Sequence, residues 1–548
     1  MWGTGPDETA DSKGCVMERL LNGPVHLVFI LFASLTMQSC SEKPAATSTA
    51  PDQSVAQLPA KATPDKLTNV DMSLLPTPDE VYAWHVLKDE DGGTFAGSPS
   101  WIQFMGIVET GLKEHGLVDV VKDRFGYRRW HTSDDPADQR WSLRINGEEI
   151  PVASYWAYSG ETDEFGVTAP LVWYDKDNPP TSLKDKIVVF QIPGLGARLP
   201  SMFAKPGYEF GTDTETLGTN QLMSSNQWYQ SNYVTRFGRF DAIIKDSGAA
   251  GALVIFDMGY GRAAGLYTFP LLKPGKTGVP GLYLDRVAGQ RVLQAAQLGH
   301  DATLTLLAEE EYVYPYFYTG FLPGKNYGTE EDEHVLVITH SDGPNLTQDN
   351  GGFAILSVIR YFSNFAQEDR PRTLAVMLDA QHFMPHRHMD DWYAMHPEIV
   401  GKVVATIGLE HFGQWEYTEQ GELFVKTGLT EQTLVFAQDN DLLIAEAIRA
   451  VETAGVPRAM VQSPPRGGQG NWSGMSDVAV KKNYPGYGMS SNMSAYWSTH
   501  ARINTFDKNL FVKQAAVAAH LTGVLMTAGL DQIALPPDAK PRPPFEEP

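Results

Sequence analysis

The sequence predicts an α/β fold in which a mixed, mostly parallel sheet is sandwiched by helices and interrupted by a β-rich insertion. The first observation is a pattern repeated three times, in which a buried strand at 334–339, 372–378 or 401–408 ends in a cluster of polar side chains. The second is a segment of helical spacing at 353–362, soon after the first strand. Strands that alternate with helices form parallel sheets with helices on their faces. Such sheets bind ligands at the carboxyl ends of their strands, where all three polar clusters fall.

The composition is that of a globular protein. The chain has 548 residues, 42% hydrophobic and 20% charged, which is enough for two or more domains. The formal net charge of -23 arises from 43 basic and 66 acidic residues. Binding to nucleic acid depends on neutralising phosphates with Lys and Arg, so the charge argues against a nucleic-acid partner.

The two cysteines, Cys15 and Cys40, both lie in the first forty residues. The folded part can therefore hold no disulfide and no thiolate metal site, so His, Asp and Glu must hold any metal ion. The apolar run at 25–35 is about eleven residues long, which is too short to span a bilayer and fits the apolar region of a secretory signal.

The signal region ends in Met37-Gln-Ser-Cys40, which resembles a bacterial lipoprotein cleavage box, although Met37 stands where Leu, Val or Ile is usual. The resemblance implies that residues 1–39 are removed and that Cys40 is acylated. We then expect a lipid anchor as the only membrane contact, in the bacterial cell envelope: at the outer membrane, on its periplasmic side, or at the cell surface. A plain signal peptide with an incidental cysteine is the alternative. Residues 40–66 have the composition of a flexible tether.

The globular part is expected to consist of one domain interrupted by another. We assign 67–168, including a strand at 141–147, to the first part of the main domain, 312–530 to its second part, and 531–548 to a Pro-rich tail. Residues 169–311 form the β-rich insertion. The order of its strands, at 171–174, 186–192, 251–256 and 279–284, resembles the protease-associated domain, and an ordinary small α/β insertion is the alternative. It contains no catalytic cluster, which favours a role in gating the substrate.

Five motifs of the main domain carry a second resemblance. They are His340-Ser-Asp342, Asp349-Asn-Gly-Gly, Asp379-Ala-Gln-His382, Leu-Glu410-His-Phe-Gly and Tyr496-Trp-Ser-Thr-His500. In order and spacing they are similar to those of the di-zinc aminopeptidase family, which includes bacterial leucyl aminopeptidases, aminopeptidase Y and glutamate carboxypeptidase. The resemblance covers about 70–530. It implies a mixed sheet sandwiched by helices, sometimes with a protease-associated insertion in the same place.

The resemblance also implies a set of metal ligands for one or two zinc ions. Asp349 would be the carboxylate that bridges both ions, His340 would bind one ion, and His500 the other. Glu410 stands where the family has an aspartate ligand, and its longer side chain can still bind zinc. Asp342 would lie beside the ligands and orient an imidazole, as metal-binding histidines generally require.

At one motif the chain departs from the family, which has two adjacent glutamates where this chain has Gln381 and His382. The second glutamate is a metal ligand, and His382 is a competent replacement. The first is the general base for the attacking water, and the amide of Gln381 cannot take a proton near neutral pH. The loss of a positioned base typically costs ~10²–10⁴ in rate. The nearest candidates for a relocated base are His386, His388 and His411.

Two functions follow from these observations. The first is an exported, aminopeptidase-like metal-dependent hydrolase that cuts peptide or related small amide bonds with metal-activated water. The second is a catalytically degenerate relative that binds a ligand or partner in the metal-site cleft. The presence of Gln381 at the position of the family's general base is the feature that distinguishes the two functions. Other chemistry has little support, since neither a Gly-x-Ser-x-Gly elbow nor a phosphate-binding Gly-rich loop occurs.

Overall fold

The computed structural model describes residues 66–133, 138–192, 209–217, 233–234, 238–268, 276–384, 389–463, 472, 474–492, 494 and 498–536. The predicted signal region, Cys40, nearly all of the tether and the candidate bases His386 and His388 lie outside the described residues.

The described strands, in chain order, are β1 (Val118–Arg124), β2 (Tyr127–His131), β3 (Trp141–Ile145), β4 (Glu148–Ile150), β5 (Ser154–Tyr155), β6 (Val167–Trp173), β7 (Ile187–Gln191), β8 (Phe210–Gly211), β9 (Gly251–Ile255), β10 (Gly281–Leu284), β11 (Asp301–Leu306), β12 (Glu309–Val313), β13 (Tyr316–Leu322), β14 (His334–His340), β15 (Thr373–Asp379), β16 (Val403–Leu409), β17 (Trp415–Gln420), β18 (Leu423–Thr430), β19 (Thr433–Ala437), β20 (Ala459–Gln462) and β21 (Gly486–Ser491). The described α-helices are α1 (Pro78–Asp89), α2 (Pro99–Glu114), α3 (Phe240–Ile244), α4 (Tyr260–Ala263), α5 (Arg286–Gln297), α6 (Gly351–Ser363), α7 (Asp390–Met395), α8 (Pro397–Val400), α9 (Asp441–Ala454), α10 (Val478–Lys482) and α11 (Lys508–Thr527).

The larger sheet has nine strands in the order β1-β13-β15-β14-β16-β21-β19-β20-β8. Its four central strands, β15, β14, β16 and β21, run parallel to one another. The pairings of β13 with β1 and β15, of β19 with β21, and of β20 with β8 are antiparallel. The prediction of a mixed α/β sheet is therefore confirmed, with the parallel pairings concentrated at its centre. The carboxyl ends of β14, β15 and β16 lie side by side, and His340 is in register with Asp379.

Both faces of this sheet are buried, as the continuous apolar runs indicated. On β14, Val335 and Val337 face one core, while Leu336 and Ile338 face another. The first core is built with residues of α1, α2, α6, α9 and α11. The second includes Trp392 of α7 and residues of α8 and α10. Helices therefore cover the sheet on both sides.

A second sheet has eight strands, in the order β4-β3-β11-β6-β7-β9-β10-β5, and has its own apolar core. The insertion was predicted at 169–311, but this sheet also takes in β3 (Trp141–Ile145), which pairs along its length with β11. Conversely, β8 (Phe210–Gly211) lies within the predicted insertion and pairs with β20 of the nine-stranded sheet. The two sheets are thus interleaved along the chain.

Helix α11 is the one helix in the described part of the chain that is long and apolar enough to cross a membrane, but 89% of its most apolar stretch is buried inside the protein. It packs against α1, α6 and α9. This burial is typical of the central helix of a folded core.

Glu431, between β18 and β19, gives a first testable prediction. Burial, with Glu416 beside it, raises the pKa of Glu431 from its usual 4.5 to about 8. Between these two values the folded state holds a proton that the unfolded state has lost, so the free energy of unfolding falls as pH rises. The contribution is up to about 1.4 kcal/mol per pH unit. We expect Glu431→Gln to match the wild type near pH 4.5 and to be more stable at pH 8. Urea unfolding at both pH values measures this, and an unchanged pH slope in the variant would contradict it.

Candidate metal centre

Three buried side chains form a cluster at the carboxyl ends of the central parallel strands. His340 is the last residue of β14, and Glu410 and His411 directly follow β16. One ligand atom from each of the three lies within 4.8 Å of the others, and all three residues are buried. Two imidazoles and one carboxylate at this spacing could hold a metal ion. The cluster stands at the edge of the sheet where parallel strands bind ligands.

Local packing brings the three side chains together. A Cβ atom at Gly351 would overlap the Thr339 side chain and the Leu409 carbonyl oxygen, so glycine is needed for α6 to begin directly against the ends of β14 and β16. Asn350 then fixes the loop after β16. Its side-chain amide donates to the Phe412 carbonyl oxygen at 2.7 Å and accepts from the Phe412 N–H at 3.0 Å.

Each imidazole is oriented by a bond at Nδ1. His340 Nδ1 lies 2.8 Å from the backbone carbonyl oxygen of Asp342 and donates to it, which leaves Nε2 as the nitrogen with a lone pair for a metal. His411 Nδ1 lies 2.9 Å from Ser490 Oγ, and its Nε2 is 3.7 Å from Glu410 Oε2. The backbone of His411 has a φ of 59°, a left-handed conformation that is uncommon outside glycine and clusters at functional sites.

The protonation behaviour of the cluster suits a metal ion. Burial lowers the pKa of His411 to about 3, so its ring is neutral, as a ligand must be. Burial raises the pKa of Glu410 to about 8, so this carboxyl ionises at neutral pH only when a cation is near it. Glu410 Oε1 accepts from the Met475 N–H, whereas Oε2 is buried and has no hydrogen-bond partner among the described residues. The residues present therefore fit one divalent cation.

The contact between Asp342 and the His340 imidazole is made by the backbone carbonyl oxygen of Asp342. Its carboxylate instead accepts from the backbone N–H groups of His382 and Phe383, at 3.1 and 2.7 Å. Burial and the neighbouring Asp379 raise the pKa of Asp342 well above its usual value. This carboxyl thereby holds the turn after β15 next to His340.

The other implied ligands, Asp349, His382 and His500, are not members of the His340–Glu410–His411 cluster. The rings of His382 and His340 are stacked, with centroids 4.1 Å apart. Asp349 is fully buried and forms an ion pair with Lys88, with Nζ and Oδ1 2.7 Å apart. His500 is half-buried, and its ring lies against Gly265 in the loop after α4.

Gln381 is 1% exposed, and its backbone N–H donates to Asp379 Oδ1 at 2.8 Å. Its side-chain oxygen has no hydrogen-bond partner in the part of the chain that the structure describes. The hydrogen bond from its backbone to Asp379 helps to fix Gln381 in the turn after β15.

From the sequence, His411 was not predicted to be a metal ligand, and Lys88 was not predicted to pair with Asp349. His411 was a candidate base, and the structure places it with His340 and Glu410 as a possible ligand. Lys88 was not singled out at all. The available signal for His411 was its position next to Glu410. For Lys88 it was the spacing of three residues from His85, which puts both polar side chains on one face of a helix.

Solved structures with the same architecture are aminopeptidases and a related peptidase. The structure matches a peptidase M28 precursor from Shewanella amazonensis with a TM-score of 0.58 and 16% identity, over 86% of this chain and 97% of that chain. It matches the aminopeptidase of Aneurinibacillus sp. strain AM-1 with a TM-score of 0.53 and 12% identity, over 85% and 97% of the two chains. For BSAP, a zinc aminopeptidase from Bacillus subtilis, the TM-score is 0.51 and the identity 14%, over 84% and 98%.

The chain has an aminopeptidase-like fold. No protein-family model and no curated protein sequence matches it significantly. In this aminopeptidase-like fold, the polar clusters predicted from the sequence lie at the carboxyl ends of the central strands.

Gly474 gives a second prediction, because it lies directly against Glu410. A Cβ atom at Gly474 would overlap both carboxylate oxygens of Glu410. We expect Gly474→Ala to displace the carboxylate and weaken zinc binding by about 10–100-fold, the range seen when the support of a ligand is lost.

Gly421 provides a matched control. Its φ of +61° is close to the +55° of Gly474, but no atom lies within 4 Å of a Cβ placed there. Gly421→Ala therefore introduces similar backbone strain without the collision, and its zinc affinity should equal that of the wild type. Competition titration with a chromogenic chelator measures both variants. Equal zinc affinity in the two variants would contradict the prediction.

Proposed function

We propose that the protein is a zinc-dependent hydrolase, aminopeptidase-like, that cuts peptide or related small amide bonds. The observation that carries the proposal is the buried cluster of His340, Glu410 and His411 at the carboxyl ends of parallel strands in an aminopeptidase-like fold. Two imidazoles and one carboxylate form a donor set found in catalytic zinc sites, where a fourth position is left for water or substrate.

Different residues of the protein would bind the metal ion and contact the attacking water. Nε2 of His340, the ring of His411 and the carboxylate of Glu410 would hold the zinc ion. When bound, zinc polarises a carbonyl and lowers the pKa of water towards ~7. Gln381 lies in the turn that the resemblance assigns to the general base, and its amide can donate or accept a hydrogen bond there but cannot take up a proton. Turnover would then lack positioned base catalysis, worth ~10²–10⁴ in rate, unless another residue supplies it.

Gln381 also supports the second candidate function. A relative that binds a peptide or small amide in the cleft without turnover would need the cluster and the cleft but not a base.

For either function we propose export to the bacterial cell envelope with an acylated Cys40, for which the sequence at 25–40 is the support.

Metal analysis combined with a substrate screen tests the proposal. The purified protein is assayed for zinc by mass spectrometry, and for hydrolysis of aminoacyl amides and dipeptides before chelation, after chelation and after zinc is returned. Bound zinc with chelator-sensitive turnover supports the hydrolase. Bound zinc with saturable peptide binding but no turnover supports the binding protein. A chain that binds no zinc at micromolar concentrations would overturn both.

A further inference from the structure

We propose that Lys88 takes the place of a second metal ion by neutralising Asp349, so that the centre holds a single divalent cation on His340, Glu410 and His411. This inference rests on the proposed zinc site and concerns how many ions that site accepts. Asp349 is the residue that the family resemblance makes the bridge between two ions. In this structure its carboxylate already has a cationic partner.

The ion pair is completely buried, and neither carboxylate oxygen of Asp349 accepts a hydrogen bond from the described residues, so the ammonium of Lys88 is its recorded charged partner. The side chains of Lys88 and Asp349 are both 0% exposed, and Nζ lies 2.7 Å from Oδ1. Nζ also lies 3.3 Å from Thr94 Oγ1 and 3.2 Å from the Asn345 carbonyl oxygen. The ammonium group therefore donates to two neutral oxygens and has one carboxylate oxygen as its ion-pair partner. Lys88 therefore has the environment of a resident cation.

The position of Lys88 is fixed by the helix that carries it. Helix α1 begins at a capping box formed by Thr77 and Glu80. His85 is on the same face as Lys88, and its Nε2 lies 3.0 Å from the side-chain amide nitrogen of Asn350. One face of α1 thus contacts two consecutive residues, Asp349 through Lys88 and Asn350 through His85. This double contact holds the ammonium against the carboxylate.

Charge explains why the pair excludes a second ion. A metal ion bound by Asp349 would lie ~2.0–2.2 Å from its oxygen, on the same carboxylate that the ammonium contacts at 2.7 Å. Two cations would then share one buried carboxylate where no water screens them. The other acceptors of Lys88, Thr94 Oγ1 and the Asn345 carbonyl oxygen, are neutral and could not replace the lost negative charge. A buried charge that loses its partner is strongly destabilising.

The other side chains that the resemblance implies for a second ion, His382 and His500, do not form a cluster of ligands like that of His340, Glu410 and His411. The ring of His382 is stacked on that of His340 with centroids 4.1 Å apart, and His500 lies half-buried beside Gly265. Within the described residues, neither joins a group of three metal-binding side chains. The geometry thus provides one assembled set of ligands, with Lys88 at the carboxylate that a second ion would need.

Zinc stoichiometry tests the inference on the full-length protein. The protein is stripped with chelator, reconstituted with excess zinc, passed through a desalting column and analysed for zinc per chain. One ion in the wild type supports the proposal, and two tightly bound ions would overturn it. A wild-type chain that binds none would instead overturn the proposed function, so the two failures are distinct.

Two variants locate the effect at Lys88. In Lys88→Met the carboxylate of Asp349 is released, and we expect the stoichiometry to rise from one zinc ion towards two. A folded Lys88→Met protein that still binds one ion would overturn the role of Lys88.

Because the single variant leaves a buried charge unpaired and could fail to fold, Lys88→Met/Asp349→Asn removes both charges together. It should bind one zinc ion with an affinity within about threefold of the wild type, as expected when its ligands are untouched. Loss of zinc from the double variant would make Asp349 a ligand of the single ion and overturn the proposal.

Discussion

Replacing Glu410 by Gln is expected to remove the zinc ion and to reduce hydrolysis to the level of the metal-free protein. Glutamine keeps the shape of the side chain and can still accept from the Met475 N–H, but it cannot supply the negative charge that the zinc site needs. A protein that binds zinc at 1,000 times its dissociation constant is stabilised by about 4 kcal/mol, and the variant should lose this increment.

Without zinc, Glu410→Gln should not be less stable than the wild type. Burial raises the pKa of Glu410 to about 8, so at pH 7 the folded protein without metal carries this carboxyl largely protonated. Exchange for a neutral amide should then leave the stability of the metal-free protein unchanged or slightly higher. Thermal unfolding with and without zinc, together with zinc analysis, measures both effects.

Glu431→Gln is the matched control for this experiment. Glu431 is also fully buried and also has its pKa raised to about 8, but it is not a member of the metal cluster. It should retain zinc and the stabilisation that zinc provides. Full zinc occupancy in Glu410→Gln, or equal loss in both variants, would contradict the assignment of Glu410 as a ligand.

The second large effect is expected from Gln381→Glu, which should raise peptidase activity by ~10²–10⁴ if the missing general base is what limits the native protein. The side chain of Gln381 is buried, and its backbone is held by Asp379 in the turn after β15. A carboxylate of the same shape fits that position. Burial near Asp342 and Asp379 should raise its pKa towards neutrality, which suits a base.

The readout is kcat/KM across pH for wild type, Gln381→Glu and Gln381→Met. The methionine variant keeps the volume but has no carboxylate, so it should show no gain. The gain in the glutamate variant should appear as a new acidic limb in the pH profile. No gain from glutamate, with strong turnover in the wild type, would show that the base lies elsewhere. No turnover in any variant, with zinc bound, would favour the binding protein.

The sequence by itself determined the central strands and the chemistry at their ends. Strand β14 (His334–His340) was expected at 334–339 and β15 (Thr373–Asp379) at 372–378, because continuous apolar runs of strand length are local signals. Since parallel strands end at one edge of a sheet, His340 and Glu410 could be placed near each other from the sequence alone.

The tertiary structure alone decided which partner each buried charge has. Lys88 and Asp349 are separated by most of the main domain's first part and by the second sheet, yet they form a fully buried ion pair. No local sequence pattern predicts such an ion pair. It forms where burial makes a single unpaired charge too costly and where packing places a side chain of opposite charge beside it. The same holds for His411, whose ring is turned towards Glu410 by a left-handed backbone and a contact with Ser490 on β21. The residue types available as metal ligands could therefore be predicted from the sequence next to the strands. Which of their charges is already neutralised by another side chain was decided by long-range packing.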